Sequence, residues 1–89
     1  MINRIIEMIK NFLDGNYDPM EFSYDLPNEL VDSYDKMEKE NKELTQLLNE
    51  EIPDICSWYD PDSNEEGCLN ENQFKEKIKI EYEKALELI

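Results

Sequence analysis

The spacing of apolar residues is the feature that most constrains this chain. Apolar side chains recur at the i, i+3, i+4 and i+7 positions of an amphipathic helix in successive stretches. No stretch of useful length alternates between apolar and polar residues as a half-buried strand does. The pattern therefore predicts an all-α fold, a compact bundle of four helices, or of five if a proline breaks one of them.

Capping residues predict where the first two helices lie. The first helix is predicted over about 2–13, because Gly15 follows it at the place of a helix C-terminal cap. Asp18 then reads as an N-cap, with Pro19 at the first helical position and Glu21 completing a capping box. A second helix is expected to begin there.

Two prolines decide how many helices the rest of the chain forms. Pro27 lacks a backbone donor, so we expect a kink or a break near it. Asn41 divides two apolar stripes, and Pro53 is expected to bend or interrupt the second of them. Asn70 and Gln73 predict a capping box at the start of the last helix. Apolar residues at helical spacing are expected to line the core face of that helix, namely Phe74, Ile78, Tyr82, Ala85, Leu86 and Ile89.

The length and composition predict a single globular domain over residues 1–89. A chain of 89 residues is below the usual size of two domains. Its hydrophobic fraction of 39% is higher than that of typical acidic disordered chains. One hydrophobic core is therefore expected.

The net charge indicates the kind of partner. The chain has 23 acidic residues against 9 basic ones, a formal charge of -14, and no histidine. Residues 11–35 and 43–74 contain no Lys or Arg at all. Because phosphate contacts need cationic side chains, nucleic acid and anionic membranes are excluded as expected partners, and a basic protein is favoured.

The sequence has no recognisable catalytic motif. It lacks histidine, a nucleophile elbow and a glycine-rich phosphate loop, since Gly15 and Gly67 are its only glycines. We therefore expect no enzyme, no catalytic residue and no cofactor. With no export or membrane-spanning signal, the expected location is the cytoplasm, where Cys56 and Cys68 stay reduced unless they pair.

A calcium loop is the most specific alternative in the sequence. Acidic and amide residues occupy positions 1, 3, 5, 7 and 12 of an EF-hand count. Position 6, which requires glycine, holds Glu65, so a solvated acidic loop is the preferred interpretation and no metal site is predicted. The residues at the five ligand positions are Asp60, Asp62, Asn64, Glu66 and Glu71.

Two segments are candidates for binding a partner. Carboxylates recur at helical spacing on the second helix, within residues 11–35, which contain no Lys or Arg. Trp58 lies outside the apolar stripe that Tyr59 continues, so it is a candidate interface anchor beside the acidic loop. The predicted contact residues are Glu29, Asp32, Asp35, Trp58, Asp60, Asp62, Glu65 and Glu66.

The segment Phe12-Leu13-Asp14-Gly15-Asn16-Tyr17-Asp18-Pro19-Met20-Glu21-Phe22 resembles small bacterial immunity proteins of the colicin D immunity kind, or those of contact-dependent growth inhibition. In that family a Phe-Leu-x-Gly-like turn ends the first helix, and an acidic-aromatic step begins the second. The resemblance covers about the first third of the chain. It implies a helical protein that blocks the active site of a toxic domain, often a basic nuclease, with carboxylates in place of RNA phosphates.

These observations lead to one preferred function and two alternatives. The preferred one is an immunity protein that blocks a cationic toxin with its acidic surface. The second is a nucleic-acid mimic or anti-restriction protein that binds other basic proteins, and the third is a calcium-binding helical protein. The charge and the missing catalytic motifs also allow a helical module of a larger assembly.

Overall fold

The chain forms an all-α bundle, as its periodicity predicts. The computed structural model describes residues 2–62 and 67–89, and the only β-type pairing within them is an isolated bridge between Tyr59 and Leu69. The helices are α1 (Ile2–Leu13), α2 (Pro19–Glu40), α3 (Lys42–Glu50), α4 (Ile52–Trp58) and α5 (Glu71–Glu87).

The predicted boundary between α1 and α2 is confirmed. Gly15 has a φ of 84°, a left-handed conformation that glycine adopts without a steric penalty. The Asp18 carboxylate accepts a hydrogen bond of 3.0 Å from the backbone N–H of Glu21. Pro19 occupies the first turn of α2, where its missing N–H leaves no intrahelical bond unmade.

Of the kink or break expected near Pro27, the break does not occur. Helix α2 is 22 residues long and continues without interruption through this proline. Leu26 and Leu30, on either side of it, are completely buried in the core. Their burial offsets the one backbone hydrogen bond that proline cannot make, so tertiary packing outweighs the local preference.

Helices α3 and α4 together fill one position of a four-helix bundle. Asn41 ends α2 and caps α3, with its side-chain oxygen 3.1 Å from the backbone N of Leu44. The interruption expected at Pro53 is confirmed, because α3 ends at Glu50 and α4 starts at Ile52. Both short helices pack against α2 and α5, while α1 contacts α2 and α5 from the other side.

Aromatic rings join three helices at one end of the core. The rings of Phe12 and Phe22 stack with centroids 4.1 Å apart and planes within 5°. Phe74 of α5 packs against both, at 4.9 Å and 5.9 Å. Tyr59, expected to be buried, is partly buried and stacks on Phe74 at 4.6 Å.

Hydrogen bonds tie the other end of the bundle together. The backbone N–H of Ile2 donates to the Glu40 carboxylate at 3.1 Å, joining the start of α1 to the end of α2. The Asn41 amide donates to the carbonyl of Leu88 at 2.9 Å. Helix α1 is therefore antiparallel to α2, and the last turn of α5 lies beside the junction of α2 and α3.

Helix α5 starts as predicted, but its buried face differs from the expected one. Both hydrogen bonds of the Asn70 and Gln73 capping box are present. Leu86 and Ile89, expected on the core face, are exposed, whereas Glu81 is only 3% exposed and forms an ion pair of 3.3 Å with Lys84. Helices α1 and α4 flank α5 on two sides. The buried face of α5 is therefore determined by its contacts with both helices and does not coincide with a single apolar stripe.

Among the residues that the structure describes, none of the helices combines the length and the apolar character that crossing a bilayer requires.

Candidate acidic interface

The carboxylates of α2 differ in their surroundings. Asp32 and Asp35 are exposed and form no ion pair with the described residues. Glu29 is half-buried, and its Oε1 lies 3.5 Å from the Nε of Arg4. The expectation that these carboxylates lack counter-charges is therefore wrong for Glu29, because antiparallel packing brings α1 and its arginine alongside α2.

Asp25, on the same helix, also has a tertiary partner. The Tyr17 hydroxyl donates a hydrogen bond to its carboxylate. Burial, followed by this bond and the nearby negative charge of Asp25, raises the pKa of Tyr17 to about 12. The α1-facing side of α2 thus has internal contacts, and the freely available carboxylates on this helix include Asp32 and Asp35.

Trp58 lies on a different side of the bundle from the α2 carboxylates. Its side chain is 47% exposed and lines a small groove between α4 and α5. Exposed Ile80 and the cationic side chains of Lys77 and Lys84 line the same groove. The surroundings of Trp58 are thus apolar and basic as well as acidic, which its sequence neighbours alone do not indicate.

Asp60 and Asp62 lie where the chain leaves α4. Leu69 closes this segment by donating to the carbonyl of Trp58 at 2.8 Å and accepting from the N–H of Asp60 at 3.0 Å. The N–H of Asp62 donates to the Asp60 side chain at 3.2 Å. Both carboxylates are exposed, and the predicted contacts Glu65 and Glu66 lie outside the described residues.

The calcium alternative receives no geometric support from the described positions. Asn70, which would leave its capping role in a calcium loop, keeps both hydrogen bonds of the capping box. Within residues 2–62 and 67–89, no three acidic, cysteine or histidine side chains form a group that could hold a metal ion. Two of the ligand positions, Asn64 and Glu66, lie outside those ranges.

Carboxylates from three parts of the chain contribute negative charge near the Tyr59 hydroxyl. Burial is the main cause of its raised pKa, and the charges of Glu71, Asp18 and Asp62 raise it further. These residues belong to the start of α5, the cap of α2 and the segment after α4. The tertiary structure therefore concentrates negative charge at this end of the bundle.

An uncharged groove lies beside this acidic end. This α2/α4 groove has a volume of about 330 Å³ and is lined by Tyr24, Pro27 and Asn28 of α2 and by Pro53, Ser57 and Tyr59 of α4 and its end. Tyr24 is 65% exposed. None of these residues is among the contacts predicted from the sequence. Their only local signal was that Tyr24 and Asn28 share a helix face at i, i+4 spacing.

A second groove, between α1 and α5, is lined by charged side chains of both signs. This α1/α5 groove has a volume of about 570 Å³, and its charged lining residues are Lys10, Lys75 and Lys79 together with Asp14, Glu76 and Glu83. Because α1 and α5 adjoin each other on one side of the bundle while α2 and α4 adjoin on another, these lysines lie away from the α2/α4 groove. Basic side chains are thus unevenly distributed over the two grooves.

Cys56 does not supply a nucleophile with a depressed pKa. Cys56 and Cys68 are both free, and burial raises the pKa of Cys56 to about 12. A thiol with so high a pKa stays protonated at neutral pH and reacts poorly.

No protein-family model, curated protein sequence or solved structure matches the chain. The function is therefore argued from the distribution of charge and exposed side chains described above.

Proposed function

We propose that this chain is an immunity protein that binds a cationic bacterial toxin, such as a nuclease, and blocks its active site with an acidic surface. The observation that carries the proposal is the uneven distribution of basic residues. Lys10, Lys75 and Lys79 line the α1/α5 groove and two further lysines of α5 adjoin Trp58, while the segments 11–35 and 43–74, which include most of α2 and all of α4, contain no Lys or Arg.

The mechanism has two steps that act on different residues. The net charge of -14 draws a basic partner toward the chain and increases its rate of association at low salt. Exposed carboxylates then pair with the partner's Lys and Arg side chains and displace the substrate from them. Asp32, Asp35, Asp60 and Asp62 suit this role, because all four are exposed.

Trp58 supplies the apolar part of the proposed interface. Half-exposed tryptophans are frequent anchors at protein interfaces, and Ile80 extends the apolar surface next to it. Lys77 and Lys84 adjoin this patch, so the partner should carry at least one carboxylate opposite Trp58. Glu65 and Glu66 remain proposed contacts on sequence grounds alone. We further propose that the protein acts in the cytoplasm.

Co-expression with the neighbouring reading frame tests the proposal. The expected result is that this frame arrests bacterial growth alone, and that growth is restored when the chain is present. A neighbouring frame without toxicity, or growth arrest that persists in the presence of the chain, would contradict the immunity function.

Paired charge variants show whether the acidic side of the bundle provides the protection. Asp32→Asn with Asp35→Asn should abolish protection and raise the Kd for the toxin at least about thirtyfold, since losing one partner of a buried charge pair costs about 2 kcal/mol or more. Glu76→Gln with Glu83→Gln changes the net charge equally in the α1/α5 groove and should retain protection. An equal loss of protection and affinity in both double variants would indicate that only the total charge of the protein matters.

A nucleic-acid mimic that binds other basic proteins is the second candidate. It is favoured by the distribution of the predicted contacts, since Asp32 lies on α2 whereas Trp58 lines a groove between α4 and α5. Such a mimic should release its partner steeply with salt, whereas an anchored immunity complex should persist. A salt titration of the captured complex, repeated with Trp58→Ala, separates the two functions.

A further inference from the structure

We infer that the α2/α4 groove is a receptor for an arginine side chain of the basic partner. The inference rests on the proposed binding of a cationic protein and names a contact within it. The groove is bounded by α2 on one side and by α4 and the residue that ends it on the other.

The size of the groove fits one long side chain. Its volume of about 330 Å³ is at the low end of the range of about 300–1,000 Å³ typical of ligand-binding clefts. Its walls are formed by the proline rings of Pro27 and Pro53 and by tyrosine rings, which are apolar surfaces against which the methylene groups of an arginine can pack.

The polar groups at the groove match a guanidinium. The side chain of Asn28 is exposed and makes no hydrogen bond to the described residues, so its carbonyl oxygen is available to accept one. The Ser57 hydroxyl donates to the carbonyl of Asp54 at 2.7 Å, which leaves the lone pairs of its oxygen free to accept. Tyr24 presents an exposed ring on which a planar guanidinium can stack.

Charge complementarity selects a cation as the occupant. No charged side chain lines the groove, and the segments that form it contain no Lys or Arg. Asp18, Asp62 and Glu71 act electrostatically on Tyr59, which is one of the lining residues. A neutral cleft next to so much negative charge stabilises a cation without a local basic residue to compete with it.

A titration with small probes tests this inference without the toxin. L-argininamide, L-lysinamide and L-citrulline amide, whose side chain is uncharged, are added to the ¹⁵N-labelled protein, and amide chemical shifts are followed by NMR. Argininamide should shift the amides of Tyr24, Asn28, Ser57 and Tyr59 most. Lysinamide should bind more weakly, because it cannot stack or donate in a fork, and citrulline amide should not bind.

Variants at two positions of α2 make the test specific to the groove. Tyr24→Ala should raise the Kd for argininamide about two- to fivefold, the range expected for an exposed cation–π contact, and Tyr24→Phe should restore it. Val31→Ala removes another exposed apolar side chain of α2, outside the groove, and should leave the Kd unchanged.

The outcomes separate this inference from the proposed function. Shifts spread evenly over the exposed carboxylates, or equal shifts with lysinamide, would overturn the arginine receptor while leaving the acidic interface intact. Groove binding of argininamide together with failed protection from the neighbouring toxin would support the receptor and contradict the immunity function.

Discussion

At the scale of single residues, a few polar side chains hold helices together. Asn41 joins three elements, because its oxygen caps α3 and its amide donates to the end of α5. Tyr17 joins the turn after α1 to Asp25 on α2. Such residues contribute more to the stability of the bundle than their helix propensities suggest, since each of these hydrogen bonds joins separate parts of the chain.

Replacing Asn41 tests this double role. Asn41→Ala should lower the free energy of unfolding by about 2 kcal/mol, roughly half from the lost cap and half from the lost bond to Leu88. Asn41→Ser keeps a capping oxygen but lacks the amide donor, so it should lose about 1 kcal/mol. Urea denaturation followed by circular dichroism measures both. An Asn41→Ser variant as stable as the wild type would mean that the bond to Leu88 contributes no stability, and equal losses in the two variants would mean that the cap contributes none.

Tyr17 should make stability depend on pH in the alkaline range. Its folded pKa of about 12 lies above the ordinary value of 10.0, so its contribution is complete below pH 10 and is lost as pH rises toward 12. Tyr17→Phe should therefore lose less stability than the wild type between pH 9.5 and 11.5. Urea denaturation across this range provides the test. If the free energy of unfolding falls in parallel with pH in the two proteins, the raised pKa of Tyr17 is contradicted.

At the scale of helices, two prolines have different outcomes. Tertiary packing overrides the helix-breaking preference of Pro27, whereas Pro53 lies where a helix tolerates proline. Pro53 lies in the first turn of α4, where proline is tolerated, and the helical run is interrupted just before it, between α3 and α4. Pro27 lies inside α2, where proline is unfavourable, yet the helix continues. The buried leucines on either side of Pro27 account for this difference.

Pro27→Ala should therefore stabilise the protein. Alanine restores the backbone N–H that an interior helix position needs, a gain of up to about 3 kcal/mol, partly offset by a more flexible unfolded chain. We expect a net increase of about 1 kcal/mol in the free energy of unfolding. Pro19→Ala, at the start of the same helix, is the matched control and should not stabilise. A less stable Pro27→Ala variant would show that the ring's packing in the α2/α4 groove outweighs the missing bond.

At the scale of the whole molecule, charge is both unbalanced and unevenly placed. The Cα atoms extend over 40 × 21 × 20 Å, so at about 0.01 M salt the Debye length of about 30 Å spans most of the bundle. Repulsion among the carboxylates then acts across helices. The acidic surface proposed for binding thus lowers the stability of the unbound protein.

Salt should raise the thermal stability for this reason. We expect the Tm to increase by several degrees between 0.01 and 0.3 M NaCl, because screening weakens repulsion in the folded state more than in the expanded unfolded chain. The response should be smaller in a variant carrying Asp32→Asn, Asp35→Asn and Asp62→Asn. Differential scanning calorimetry measures both, and a Tm that falls with salt would contradict net repulsion.

The sequence by itself determined the helices, because their signals are local. The spacing of Ile5, Ile9 and Phe12, the cap at Asp18 and the capping box at Asn70 all act within a few residues and all appear as predicted. Only the tertiary structure decided which side chains meet. The pairing of Arg4 with Glu29 and the lysines beside Trp58 depend on how whole helix faces pack, which spacing within one helix does not specify.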